Sequence, residues 1–247
     1  MSISLSQHYA ESGYVFLEKF FSEDELKGLE LILNKFHENW LEENREYYQS
    51  GLINSHSITS GKCITKEERL EIFRFITQDK ISSIVTSIFP GKALFLNTQL
   101  FFDPYMKNQS NYWHRDIQYT GMDMEEQKEK IKTQNVLHFR IPLRKEAGIE
   151  LIPNTHINWD LPEEQEVRLS LNGRKNNEDL KRGKTVSPDR GDVLIFSANM
   201  IHRGLYGNDR FTFDILFCDD SPEFKTFIDP NNHPSKEELI FLNKDLF

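Results

Sequence analysis

The spacing of apolar residues changes character near Pro90, and that change restricts the fold more than any single motif. Before it, Leu26, Leu29, Ile32, Leu33 and Phe36 recur at helical spacing. They follow Ser22, a helix cap, with Glu25 as its capping-box partner. A second helical stretch covers about 66–89 and is stopped by Pro90 and Gly91. Beyond it the chain is written in short runs rich in β-branched and aromatic residues, at 93–102, 135–143, 148–153, 191–198 and 210–218, divided by Gly and Pro. Strands and helices do not alternate, and no GxGxxG or GxxxxGK[ST] run occurs, which argues against a parallel βαβ fold. The pattern predicts one domain over 1–247: a helical layer to about 92, an all-β core at 93–218, and a tail at 219–247 that docks through its Phe and Leu residues. YVFLEKF, ahead of the first helix, also reads as a strand.

Three polar stretches interrupt this plan. Residues 42–69 read as a loop, with His56 as a candidate contact to an active site. Residues 119–134 and 160–190 read as lids, because long polar insertions beside functional motifs commonly serve that way.

A length of 247 residues suits one sizeable core. The net charge, 30 − 39 = −9, argues against a nucleic-acid backbone as partner. Cys63 and Cys218 are far apart and form no CxxC pair, so neither a disulfide framework nor a thiolate zinc site is expected. The opening MSISLSQHYAESG has no basic n-region, and no later run is long and apolar enough to span a membrane. A cytoplasmic protein with a small-molecule partner, and neither nucleic acid nor membrane, is the expectation.

The chemistry concentrates in two blocks. NYWHRDIQY places His114 and Asp116 two residues apart, on one face of an extended segment. His202 lies 88 residues downstream, just past the run GDVLIF. Two imidazoles and a carboxylate are the ligands of a facial triad, which leaves metal positions open for a cosubstrate and dioxygen. An HxD pair alone recurs by chance. Arg210, eight residues beyond His202, adds a planar guanidinium suited to a carboxylate. His-x-Asp, long gap, His, short gap, Arg is the order that a 2-oxoglutarate site requires.

Four stretches in order resemble the phytanoyl-CoA dioxygenase family of Fe(II)/2-oxoglutarate-dependent oxygenases. They are QHYAESGYVFLEKFFSEDEL, the tryptophan-led WHRD at 113–116, GIELIPNTH at 148–156, and GDVLIFSANMIHRGLYGNDR at 191–210. The resemblance implies a mainly β fold, a double-stranded β-helix (jelly roll, cupin-like) core braced by the N-terminal α-helices. It implies Fe(II), 2-oxoglutarate and dioxygen, with His114, Asp116 and His202 as catalytic metal ligands and Arg210 on the far carboxylate. It also implies hydroxylation of a metabolite with release of succinate and CO₂. Halogenating relatives replace the carboxylate ligand with Ala or Gly, so the retained Asp116 disfavours halogenation. Asn154 stands where the family's turn carries Gly, and Asn tolerates positive φ. His156 is then structural or at the pocket edge, and Trp113 is packing.

Two weaker assignments rest on strand alternation. Gln99, on the strand before HxD, is the polar residue chosen to reach the cosubstrate, as such residues do in the family. His138 and Arg140 share a strand face; either they point into the barrel, where Arg140 meets a cosubstrate carboxylate or an anionic substrate, or both face solvent or pair with acidic residues. A non-catalytic binding protein on the same fold is the competing reading, and a cupin-like isomerase or zinc hydrolase a third. A small polar metabolite is the default substrate.

Overall fold

The computed structural model describes residues 4–247. The first three positions of the opening read above lie outside the described residues. Among the described residues nine strands form two antiparallel sheets. The strands are β1 (Tyr14–Leu17), β2 (Asn54–His56), β3 (Ala93–Phe102), β4 (Val136–Pro142), β5 (Ile149–Leu151), β6 (Lys184–Val186), β7 (Val193–Ser197), β8 (His202–Gly204) and β9 (Phe211–Asp219). The larger sheet has the order β1-β7-β4-β9-β3-β2 and the smaller β6-β5-β8.

Alternation along the strands gives the larger sheet two different faces. Leu100, Phe139, Ile195, Phe213, Ile215 and Phe217 point to one side, into a core shared with Leu26, Leu29, Leu33, Phe36, Ile72, Phe73 and Val85. Those partners belong to α2 (Glu23–Gln49), α3 (Lys66–Ile76) and α4 (Asp79–Ile88), so helices brace this sheet from outside. The other face carries Leu194 and Phe196, which pack with Ile149 and Leu151 of the smaller sheet. The same inner face holds a polar row, in which Gln99 is paired with Asp214 and Asp214 with Arg140.

Several sequence expectations change. The helix foreseen over 66–89 is two helices, because Gln78 is extended (φ −58°, ψ 138°) and ends the first path before Asp79 starts the second. The stretch 42–69 is not one loop. α2 continues to Gln49 past a kink at Asn44, whose side chain bonds the Trp40 carbonyl at 2.9 Å, and β2 and a 3-10 turn follow. A Thr65–Glu68 capping box then starts α3. β1 and β2 both join the larger sheet, so the β core draws on residues ahead of 93. Residues 160–190 form α6 (Pro162–Arg168), turns and β6, and Val167 and Leu180 pack against Trp113, Ile152 and Ile201. They buttress the smaller sheet and do not overhang its cavity.

The tail docks as expected. Leu246 is buried, its carbonyl accepts the Phe95 N–H at 2.7 Å, and Phe247 meets Phe73 and Phe95 edge-on. Both cysteines are free and buried. Among the described residues no helix is long and apolar enough to cross a membrane.

Candidate metal centre and active-site cavity

His114 and His202 face each other as an antiparallel pair. Each backbone N–H donates to the other's carbonyl, at 3.0 and 2.9 Å. Arg115 is extended (φ −121°, ψ 140°), and the chain turns into a 3-10 helix from Asp116 to Tyr119. The alternation sends Arg115 the other way. Its guanidinium is fully buried on Asp160 at 2.8 Å and on the carbonyls of Thr155, Asn158 and Asn199. This anchor and the Asp116 N–H bond to the Ala198 carbonyl (3.0 Å) fix the HxD segment.

One ligand atom from each of His114, Asp116 and His202 lies within 4.8 Å of the others. Asp116 Oδ1 is 3.5 Å from His114 Nε2 and 3.6 Å from His202 Nε2. The opposite ring nitrogens are already spoken for. His114 Nδ1 donates to the Tyr112 carbonyl at 3.1 Å and His202 Nδ1 to the Met200 carbonyl at 3.0 Å. A carbonyl only accepts, so Nδ1 carries the proton and both Nε2 lone pairs point at the shared space. Burial lowers the pKa of both, that of His202 to about 3, and keeps the imidazoles neutral.

Behind Asp116 lies a relay that sequence did not foresee. His138 Nε2 is 2.9 Å from Asp116 Oδ2, and His138 Nδ1 is 3.0 Å from Asp214 Oδ2. The ring stacks on Phe196 at 4.6 Å. Burial alone would lower the His138 pKa, but the two carboxylates raise it to about 9. Burial would likewise raise that of Asp116, yet the hydrogen bond from His138 and the positive charge of that ring hold it well below the usual carboxylate range. The available signal was Asp214 itself, an acid inside the apolar run FTFDILFC that must find a partner when buried.

The two inner arginines differ sharply. Arg140 is paired with Glu146 at 2.9 Å and Asp214 at 3.2 Å, and Nε, Nη1 and Nη2 all donate to these acids. Among the alternatives read from sequence, acidic partners are what it has. Arg210 is also buried and forms an ion pair with Glu146 at 3.4 Å, but its Nε and Nη1 make no hydrogen bond. Phe101 and Tyr206 flank the guanidinium, with ring centroids 5.0 and 5.9 Å away. Gly204 leaves it room, since a Cβ there would lie 2.9 Å from Nη2. Burial and the Arg140 charge lower its pKa to about 10, so it stays cationic at neutral pH.

A cavity of about 560 Å³ joins these groups. His114, Asp116, His202 and Arg210 line it, as do Gln99, Arg140 and His56. Residues 51–54, within the stretch read as an active-site loop, and Tyr119, of the first expected lid, border it, together with Gln109, Asn111, Tyr112 and Tyr206, which sequence reading had left unassigned. A smaller, mostly apolar cavity of about 290 Å³ touches Asp116 and Gln99 from the other side, beneath Phe224 and Phe227. Residues 119–134 border both, through Tyr119 in the first and Thr120, Met122 and Gln134 in the second. His156 lines neither. It packs on Gly13 with Nε2 3.2 Å from the Ala10 carbonyl, and Asn154 takes the positive φ expected of it, 68°. Trp113 is fully buried, its indole N–H on the Glu178 carbonyl.

Two neutral imidazoles and one carboxylate converge on a cavity that a buried guanidinium also lines, a donor set that could hold a metal ion beside an anion. Residues 9–206 match the family model for phytanoyl-CoA dioxygenase, and the chain belongs to that family. No curated protein matches it in sequence. Solved structures similar in fold include AviO1 from Streptomyces viridochromogenes Tue57, with a TM-score of 0.58 and 15% identity over 90% of this chain and 97% of that one. EctD from S. alaskensis in its apoform gives 0.61 and 13%, over 88% and 76%. SnoK, a non-haem α-ketoglutarate-dependent carbocyclase from nogalamycin biosynthesis, gives 0.58 and 15%, over 89% and 84%.

Proposed function

We propose that the whole chain works as one domain, a double-stranded β-helix that hydroxylates a small-molecule metabolite using Fe(II), 2-oxoglutarate and dioxygen. The observation that carries this reading is the buried, unsatisfied Arg210 guanidinium in the cavity that the three ligand side chains share. A buried cation with open donors calls for an anion, and a carboxylate matches its fork. The donor set fits Fe(II), because neutral nitrogen ligands with one carboxylate suit it better than they suit Ca²⁺. A non-catalytic binding protein would have no use for a free guanidinium beside a complete ligand set.

His114, Asp116 and His202 would hold the iron through two Nε2 atoms and Oδ1. His138 keeps Oδ2 of Asp116 turned away, which leaves Oδ1 as the donor. Arg210 would take the distal carboxylate of 2-oxoglutarate, and Gln99 would offer its amide beside the cosubstrate. Arg140 has no free donor and serves to hold Asp214 and Glu146. Bound iron with 2-oxoglutarate supplies dioxygen activation, with succinate and CO₂ as coproducts. Anaerobic titration of the protein with Fe(II) and 2-oxoglutarate tests the assignment through the visible charge-transfer band of the chelate. A folded protein that develops no band refutes it.

A further inference from the structure

The stretch 160–190 sends one side chain back to the metal-binding segment. Arg168, the last residue of α6, is buried, and its Nε donates to Asp160 Oδ2 at 2.7 Å. The other oxygen of Asp160 takes Nε and Nη2 of Arg115 at 2.9 and 2.8 Å. Arg115 is the residue between the ligands His114 and Asp116. Asp160 thus carries two guanidinium groups, which lie 5.2 and 5.4 Å from the centre of the Trp159 ring. Buried ion pairs often add little net stability, so three charges gathered behind the metal ligands call for another account.

Arg168 also reaches past Asp160. Its Nη1 donates at 2.9 Å to Oε1 of Gln118, which lies in the 3-10 helix that begins at Asp116. The same oxygen accepts the main-chain N–H of Arg115 at 3.3 Å. A guanidinium only donates, so Arg168 decides which way the Gln118 amide faces and keeps its oxygen toward that N–H. Gln118 folds back across Asp116 in this way, and the turn from Arg115 to Gln118 is closed on both sides of the ligand. That turn sets the direction in which the Asp116 side chain leaves the backbone.

We infer that Arg168 is a positioning residue for the metal centre, acting through Gln118 to hold the turn that aims Asp116 Oδ1 at the two imidazoles. The inference rests on the metal assignment above. It gives α6 a part in iron binding, in place of the lid expected from sequence.

The test is anaerobic titration of the full chain with Fe(II) alone, with urea unfolding of each variant alongside. Arg168→Met and Gln118→Leu should each weaken Fe(II) binding about tenfold or more, the range for groups that orient metal ligands. Because the two act as one chain, the double variant should bind about as weakly as the weaker single one. Gln118→Glu keeps an acceptor for both donors and should stay within about threefold of wild type. Val85→Ala, a truncation in the helical layer, should lower stability and leave iron affinity within about twofold, which separates positioning from general loosening. Wild-type affinity in Arg168→Met overturns the inference, and so do losses that multiply in the double variant or a loss in Val85→Ala as large as in Arg168→Met. Should Arg168→Met fail to fold, equal affinities of Gln118→Leu and Gln118→Glu overturn it. A wild type that binds no Fe(II) refutes the metal centre itself, whereas one that binds alongside undisturbed variants refutes the role of Arg168 alone.

Discussion

His138 Nε2 lies 2.9 Å from Asp116 Oδ2, so the carboxylate that faces the two imidazoles has one oxygen tied back into the larger sheet. Groups that orient metal ligands typically carry 10–100-fold of the metal affinity. His138→Ala should therefore weaken Fe(II) binding by about that factor while the fold persists. His138→Gln places an amide N–H near the lost Nε2 and should recover part of the loss. Anaerobic Fe(II) titration of the three proteins decides it, and equal affinities would mean that Asp116 holds its own orientation.

Arg210 and Arg140 should fail in different assays. Arg210→Ala should weaken 2-oxoglutarate binding by orders of magnitude, since removing one partner of a buried charged pair costs about 3–5 kcal/mol. Arg210→Lys should recover little, because an ammonium cannot form the two-pronged contact. Calorimetry on the iron-loaded variants measures both.

Arg140→Met takes the shared guanidinium away from two buried carboxylates, Glu146 and Asp214. It should lower unfolding free energy by about 3–5 kcal/mol. Urea denaturation gives the value. A stable Arg140→Met protein with lost 2-oxoglutarate affinity would reverse the two assignments.

His114→Ala and His202→Ala should each abolish oxygenation, and Asp116→Ala should do so or nearly so. Metal content and 2-oxoglutarate consumption report the losses separately. A variant that retains full turnover removes its residue from the ligand set.

A fourth group, away from the centre, predicts acid sensitivity. His37 of α2 packs 4.6 Å from the ring of Phe102, its Nδ1 is buried without a partner, and burial lowers its pKa to about 4. The unfolded chain takes up this proton near pH 6.5, so its contribution to stability is intact above that value and is lost as pH falls toward 4. Between pH 7 and 5 the loss should reach at most about 2 kcal/mol, from 1.36 kcal/mol per unit. Urea unfolding of wild type and His37→Phe at the two values tests it. Parallel losses in both proteins would place the sensitivity elsewhere.

The sequence by itself determined the helical stretches ahead of residue 90, the strands β1, β3, β4, β5, β7 and β9, and the candidate site residues His114, Asp116, His202 and Arg210. These are legible because hydrophobic period is a local property, and because a metal and a carboxylate demand particular side-chain types wherever the chain puts them. It did not reveal the short strands β2, β6 and β8, because they are mostly polar and no apolar run marks them. Nor did it decide which of its alternatives Arg140 takes. Arg140 and Arg210 are both on or beside inner strands, but the register sets Arg140 opposite Asp214, 74 residues away, and closes its donors. Arg210 stands at the head of β9 beside Gly204, with two donors open. Only the tertiary structure decided which charge is satisfied, because pairing in a sheet depends on neighbours that are distant in the chain. The same holds for the tie from His138 to Asp116, fixed by a contact across elements.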